Sequence, residues 1–310
     1  MDALIIAGPT AAGKTALALE VAKLIPCEII NMDSALVYRG MDIGTAKPSL
    51  TERIQVPHHL IDIIDPGESY SAADFVKDVE MLIPQIKARG NLPIVVGGTM
   101  LYLHSWVNGL SDLPSADEVI RERLQAEWLK NPLAMHQRLC DADPIAGKRI
   151  HPNDPQRILR ALEVIEITGL SLTEQHQQRN ATQLELKTVF IAPPTREWLH
   201  ERMLVRFELM LAQGLLDEVR VLMTNSNLTA SLPSMRSVGY RQAWQYLQGD
   251  ITEPQLHEQA LSATRSLAKR QLTWMKKMTC DLLLAANLPL SKQLHQIMPL
   301  LGNDKISQLV

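Results

Sequence analysis

Residues 8–15 read Gly-Pro-Thr-Ala-Ala-Gly-Lys-Thr, a spacing of glycines, lysine and hydroxyl that wraps backbone N–H groups around phosphate oxygens. Gly8, Pro9, Thr10, Ala11, Ala12 and Gly13 form the turn, Lys14 adds a point charge, and the Thr15 hydroxyl can ligate Mg²⁺. Two further features end apolar runs in the same way: Asp33 after residues 28–31, and Gly97-Gly98-Thr99 after residues 93–96. A carboxylate at Asp33 could hold a metal, act as a general base or close a turn. Thr99 could equally be the N-cap of a helix over residues 100–106. The loop alone specifies phosphate without saying whose, and an ATP-binding kinase is one reading. An ordinary P-loop nucleoside triphosphatase, however, has a second strand ending in an aspartate for Mg²⁺. Ile94-Val95-Val96 ends in glycines, which leaves Asp62 and Asp65, at the close of another apolar run, as substitutes.

Elements that position these residues follow from the hydrophobic pattern. Short apolar runs at 3–7, 28–31, 59–64 and 93–96 alternate with helical patterns at 14–24 and 72–87. That alternation predicts a parallel sheet with helices against it. Ligands of such sheets sit beyond the carboxyl ends of the strands, where Gly8, Asp33 and Gly97-Gly98-Thr99 all fall. After Leu113-Pro114-Ser115 the pattern changes, and residues 117–178 read as helices with polar faces and no convincing strand. A strand at 187–192, helices at 195–213 and 254–278, and a strand at 282–285 complete the chain. The expected fold is α/β, a P-loop NTPase-like parallel sheet flanked by helices, with residues 1–114 and 186–310 as core and 115–185 as a helical insertion.

Composition narrows the class further. The 310 residues are 46% hydrophobic and 21% charged with a net charge of −3, so any nucleic-acid surface must be local. No run approaches the roughly 18 apolar residues of a membrane span. The opening Met-Asp-Ala-Leu-Ile-Ile-Ala lacks a basic n-region and reads as a strand. Cys27, Cys140 and Cys280 have neither zinc-site nor disulfide-framework spacing, and a cytoplasmic location is expected.

Longer segments carry a resemblance. The phosphate loop, residues 33–48 (Asp-Ser-Ala-Leu-Val-Tyr-Arg-Gly-Met-Asp-Ile-Gly-Thr-Ala-Lys-Pro) and residues 97–102 (Gly-Gly-Thr-Met-Leu-Tyr) resemble the tRNA dimethylallyltransferase family. Residues 151–157 (His-Pro-Asn-Asp-Pro-Gln-Arg), 160–163 (Arg-Ala-Leu-Glu), 239–242 (Gly-Tyr-Arg-Gln) and 269–274 (Lys-Arg-Gln-Leu-Thr-Trp) agree in order, so the resemblance covers nearly the whole chain.

The resemblance implies transfer of a dimethylallyl group from its diphosphate to N6 of the adenosine 3′-adjacent to the anticodon of tRNA, with Mg²⁺ as cofactor. The phosphate loop would then cradle a departing pyrophosphate, assisted by Lys14 and by Arg206, which matches the family arginine. Asp33 matches the residue that takes the N6 proton, and Thr99 one that contacts the same adenosine. Matching tRNA contacts are Asp33, Ser34, Ala35, Leu36 and Thr99; Arg121; Gln156, Arg157, Ile158, Leu159 and Arg160; and Arg236, Ser237, Val238, Gly239, Tyr240 and Arg241. A last set comprises Lys269, Arg270, Gln271, Leu272, Thr273, Trp274, Met275 and Lys276, where basic side chains would neutralise phosphates and Trp274 would stack or belong to the core. The insertion would clamp the anticodon stem, and the expected enzyme is a monomer outside the membrane. Leu36 and Met100 depart from the commoner Gln and Gly, Glu208 replaces a more usual Asp, and the zinc finger of eukaryotic members is missing. Competing readings are an adenylate isopentenyltransferase using AMP, a P-loop small-molecule kinase, and a non-catalytic RNA-binding module.

Overall fold

The computed structural model describes residues 1–111, 113–114, 116–175 and 179–301, so the predicted break residue Ser115 and the predicted helical limit Gln178 lie outside the described residues. The chain divides into two compact units, one of residues 1–104 with 183 onward, the other Ser105–Thr182.

A parallel sheet is the centre of the first unit. Strands β1 (Ala3–Ala7), β2 (Cys27–Asn31), β3 (His58–His59) and β4 (Leu92–Gly97) belong to it. β5 (Leu110–Ser111) and β6 (Arg179–Asn180) form a separate antiparallel pair in the second unit, and β7 (Leu186–Ala192) and β8 (Leu282–Ala285) complete the main sheet. Its order is β3-β2-β4-β1-β7-β8, every pairing parallel. All five residues of β1 are fully buried, which is why the strand reads as an unbroken apolar run and not as an alternation. The run at 59–64 does not form the strand its composition predicts. Leu60 and Asp62 take positive φ of 60° and 57°, and the Asp62 carboxylate binds Lys47 Nζ at 2.5 Å and Arg53 at 2.6 Å.

Helices α1 (Lys14–Ala22), α2 (Leu50–Gln55) and α3 (Ala72–Ala88) connect the early strands, and α4 (Met100–Asn108) follows β4. One apolar cluster joins sheet residues Leu4, Ile6, Ile94 and Ile191 to Leu17 and Val21 of α1.

The second unit is helical: α5 (Glu118–Lys130), α6 (Pro132–Ala142), α7 (Pro144–Arg149), α8 (Pro155–Thr168) and α9 (Leu172–Gln175). Asn131-Pro132, Asp143-Pro144 and Asp154-Pro155 start three of them, the polar side chain capping the first turn and proline occupying a position that needs no N–H. Leu124, Leu139, Ile158 and Leu162 form its own core.

The first unit continues with α10 (Arg196–Ala212), α11 (Leu215–Met223), α12 (Tyr240–Gln248), α13 (Glu253–Met275) and α14 (Leu290–Ile297). A second apolar cluster gathers Tyr38 and Met41 with Phe207, Val219, Tyr240 and Leu256 from α10 to α13. Among the described residues no helix is long and apolar enough to cross a membrane.

Candidate active site

The phosphate loop leaves β1 where no side chain fits: a Cβ on Gly8 would stand 2.7 Å from the Ile191 carbonyl oxygen. Ala11 and Gly13 turn the loop at φ 63° and 94°, and Gly13 caps α1, so the first-turn N–H groups face the loop. Lys14 folds back to donate from Nζ to the Pro9 carbonyl at 2.8 Å. The crest is held from outside: the Thr10 N–H donates to Gln271 Oε1 at 2.9 Å, and Arg202 Nε donates to the Ala11 carbonyl at 2.8 Å.

Beside it, the ends of β2 and β4 meet. A Cβ on Gly97 would lie 2.1 Å from the Met32 carbonyl oxygen, so only glycine lets these strands end together. The Asn31 side chain accepts from the Asp33 N–H at 2.9 Å and donates to the Asp33 carbonyl at 3.0 Å. Asp33 Oδ1 accepts from the Ala35 N–H at 3.0 Å. The turn-closing role is therefore real, but it occupies one carboxylate oxygen and leaves Oδ2 without a hydrogen bond among the described residues. Thr99 accepts from the Ser34 N–H at 3.0 Å, so its hydroxyl braces the 33–35 turn.

Lys14 and Arg206 complete the charge pattern. Burial lowers Lys14 to about 8, with Asp33 opposing the shift and Arg206 adding to it. Burial also lowers Arg206, again opposed by Asp33, and Arg206 Nη2 donates to the Thr45 carbonyl at 3.2 Å. Asp33 thus sits in the field of two desolvated cations. It shares one cavity with Thr10, Ala11 and Arg206, whose remaining wall includes Met203, Phe207, Met210 and Leu267. Gly44 and Thr45 also line it. Their loop is anchored by Glu218, which accepts from the N–H groups of Asp42 (2.8 Å), Ile43 (2.8 Å) and Gly44 (3.2 Å) and from the Tyr240 hydroxyl (2.5 Å). Such a cavity suits an anionic head on an apolar chain, with a carboxylate poised for a proton.

Val238 lines both this cavity and a neighbouring polar cleft of about 650 Å³ whose walls include Arg236, Arg241, Arg270, Glu258 and Ser262.

For Mg²⁺, Thr15 presents an exposed side chain on the first turn of α1, and no group of three or more His, Cys, Asp or Glu gathers among the described residues. That donor set fits an ion bound mainly by a substrate's phosphate oxygens and water, which is how Mg²⁺ is commonly held. Asp62 is engaged by Lys47 and Arg53, and Asp65 by Arg39, so both substitutes already serve as ion-pair partners.

The IPP transferase family model matches residues 36–278. This chain belongs to the IPP transferase family. A tRNA dimethylallyltransferase from Hydrogenovibrio crunogenus is 52% identical over 277 residues, spanning 88% of this chain and 86% of the relative. Among solved structures, the tRNA isopentenylpyrophosphate transferase of Bacillus halodurans superposes with a TM-score of 0.71 at 36% identity, covering 98% of this chain and 96% of its own. That of Staphylococcus epidermidis gives 0.70 at 34%, covering 97% and 98%. A eukaryotic dimethylallyltransferase solved acting on tRNA gives 0.82 at 28%, covering 99% of this chain and 79% of that one.

The other residues that the family resemblance singles out divide by exposure. Ser34, Arg236, Arg241, Lys269, Arg270, Thr273 and Lys276 are exposed, while Ala35, Leu36, Ser237 and Val238 are half-buried. Gly239 and Tyr240 are buried, as are Gln271 and Met275; Leu272 packs on Leu199 and Met203. Trp274 is half-buried, its ring edge-on to His104 with centroids 5.1 Å apart. In the helical unit Gln156 and Arg157 are exposed, Ile158 is core and Leu159 packs on that core. Arg121 Nε and Arg160 Nη1 converge on buried Glu163 at 2.8 and 2.7 Å. Sequence reasoning missed the apolar wall of this cavity (Met203, Phe207, Met210, Leu267), Arg202 and Glu218. For Arg202, Met203, Phe207 and Met210 the only sequence signal was a shared helix with Arg206, which cannot tell a ligand-facing apolar residue from a core one; Glu218 and Leu267 lie on other helices and had no such signal.

Proposed function

We infer that this enzyme transfers a dimethylallyl group from dimethylallyl diphosphate to N6 of the adenosine 3′-adjacent to the anticodon in tRNA, releasing pyrophosphate. The observation that carries the reading is the single cavity in which the phosphate loop, Arg206, an apolar wall and Asp33 meet. The diphosphate lies on the loop N–H groups, Lys14 and Arg206, and the five-carbon chain lies along Met203, Phe207, Met210 and Leu267. As the allylic C–O bond breaks, its electron pair goes to the diphosphate, where these donors stabilise the added charge. The electron-deficient carbon faces Phe207 and two thioethers, soft groups that favour positive charge. N6 forms the new C–N bond, and its proton passes to Asp33, whose turn is braced by Thr99. Mg²⁺ bound with Thr15 would supply further charge neutralisation on the diphosphate.

The adenine must leave the loop stack to reach Asp33. The cleft of Arg236, Arg241 and Arg270 supports a route for the flanking RNA backbone, with Lys269 and Lys276 as further phosphate contacts. The 105–182 unit, through Gln156, Arg157 and the Arg121–Glu163–Arg160 cluster, grips the anticodon stem. A cleft of this size and charge favours tRNA over AMP as acceptor, and the apolar wall beside Arg206 favours an allylic diphosphate over ATP. The test is incubation with radiolabelled dimethylallyl diphosphate and unmodified tRNA, AMP or ATP, followed by nucleoside analysis. Label in tRNA adenosine with pyrophosphate release is expected. Label in AMP alone, or consumption of ATP, would overturn the reading.

A further inference from the structure

Gln271 stands in the run of Lys269, Arg270 and Trp274 yet faces away from solvent, at 7% exposure. Its amide makes two bonds of opposite sense: Oε1 accepts from the Thr10 N–H of the phosphate loop at 2.9 Å, and Nε2 donates to the Gly98 carbonyl at 2.8 Å. The fit is close, since a Cβ on Gly98 would lie 2.5 Å from Nε2 and 3.1 Å from the Gly8 carbonyl oxygen. Thr10 lies four residues before Lys14, and Gly98 directly precedes Thr99, whose hydroxyl braces the turn of Asp33. The next residue, Leu272, joins the apolar cluster that holds Ala11. Lys269 and Arg270 are exposed on the same stretch of helix.

We propose that Gln271 is a positioning residue for transfer: its amide sets the distance between the loop that holds the diphosphate and the loop that holds the acceptor adenosine. The proposal rests on the reading above. The reaction joins one atom from each loop's ligand, so the interloop distance sets the approach of N6 to the allylic carbon. Misplacement of reacting groups by about 1 Å can cost on the order of 100-fold in rate. Because Gln271 belongs to α13, the helix that presents Lys269 and Arg270, seating of the RNA backbone bears on the same link. Among the hydrogen bonds of the described residues the Thr10 N–H has no other partner, and the second partner of the Gly98 carbonyl, the Met100 N–H at 3.0 Å, lies in its own loop and does not reach the phosphate loop.

The test compares wild type with Gln271→Glu and Gln271→Met in single-turnover transfer at saturating dimethylallyl diphosphate and tRNA, alongside tRNA filter binding and thermal melting. Gln271→Glu keeps the acceptor for Thr10 but, ionised, lacks the donor to Gly98. Protonated, it regains that donor. Single-turnover rates at pH 8 are expected to fall about 10- to 100-fold in both variants, with tRNA affinity and its salt dependence unchanged. The ratio of Gln271→Glu to wild-type rate should rise as pH falls from 8 to 5.5, while that of Gln271→Met stays flat. Wild-type rates in both variants, or weaker tRNA binding with an unaltered rate, would overturn the proposal and return Gln271 to an RNA contact. If Gln271→Met fails to fold, the pH recovery of Gln271→Glu decides alone. Failure of wild type to label tRNA would instead refute the function.

Discussion

Lys14 carries a prediction in which activity and stability move oppositely with pH. Its amine is lowered from 10.5 to about 8 by burial in the phosphate loop, held by one bond to the Pro9 carbonyl. In the proposed function the diphosphate is bound by the charged amine. In the free enzyme that form is lost as pH rises through about 8, so kcat/KM for dimethylallyl diphosphate should fall roughly tenfold per pH unit above that value. At saturation the bound anion holds the proton, and the fall in kcat should begin at higher pH. The stability sign is reversed. The folded value lies below the unfolded one, so between about 8 and 10.5 the unfolded chain binds more protons and folding gains with rising pH. Below 8 the buried charge costs at most about 3 kcal/mol. Lys14→Met removes that cost but also a hydrogen bond worth about 1 kcal/mol, and partial solvation at the cavity reduces the gain further. The expected net is about 1 kcal/mol at pH 7, or about 2–4 °C in Tm, shrinking above pH 9. The assays are kcat/KM from pH 6 to 10 with labelled substrate and differential scanning fluorimetry of both proteins. A flat kcat/KM profile, or a Lys14→Met protein that melts below wild type at pH 7, would refute the reasoning.

Other perturbations test the remaining parts. Asp33→Asn keeps the oxygen that closes the Ala35 turn but removes the proton acceptor, so turnover should fall roughly 10²- to 10⁴-fold while tRNA binding holds; filter binding with single-turnover kinetics checks it. Arg236→Ala and Arg241→Ala should each weaken tRNA binding across sequences and lower the salt slope by about 1, read from affinities over a salt series. Glu218→Ala strips the acceptor from three N–H groups and the Tyr240 hydroxyl. It should cost about 3 kcal/mol in urea unfolding, and folded enzyme should show a raised KM for dimethylallyl diphosphate, since Arg206 leans on that loop at Thr45.

Features of this chain that depend on consecutive residues are legible without coordinates. The phosphate loop is one, because its donors are successive backbone N–H groups whose turn needs glycine at particular steps. The central strands are another, since burial on both faces leaves unbroken apolar runs. The helix starts at Asn131-Pro132, Asp143-Pro144 and Asp154-Pro155 were open to the same kind of reading. The run at 59–64 misled because ion pairs to Lys47 and Arg53 hold Asp62 in a conformation that a strand excludes.

What chemistry the protein performs was written in its motifs; how the reacting groups meet was decided by packing. Successive residues on a helix point about 100° apart, so Gln271 belongs to a basic motif in sequence and to the buried link between the phosphate loop and the Gly98 loop in space. Met203, Phe207 and Met210 become a pocket wall only because Leu267 of another helix closes over them beside Arg206. Glu218 reaches a loop 174 to 176 positions away. Types and spacing along the chain determined the phosphate cradle and the carboxylate. The distance between them is a property of side chains brought from far apart, which no local pattern encodes.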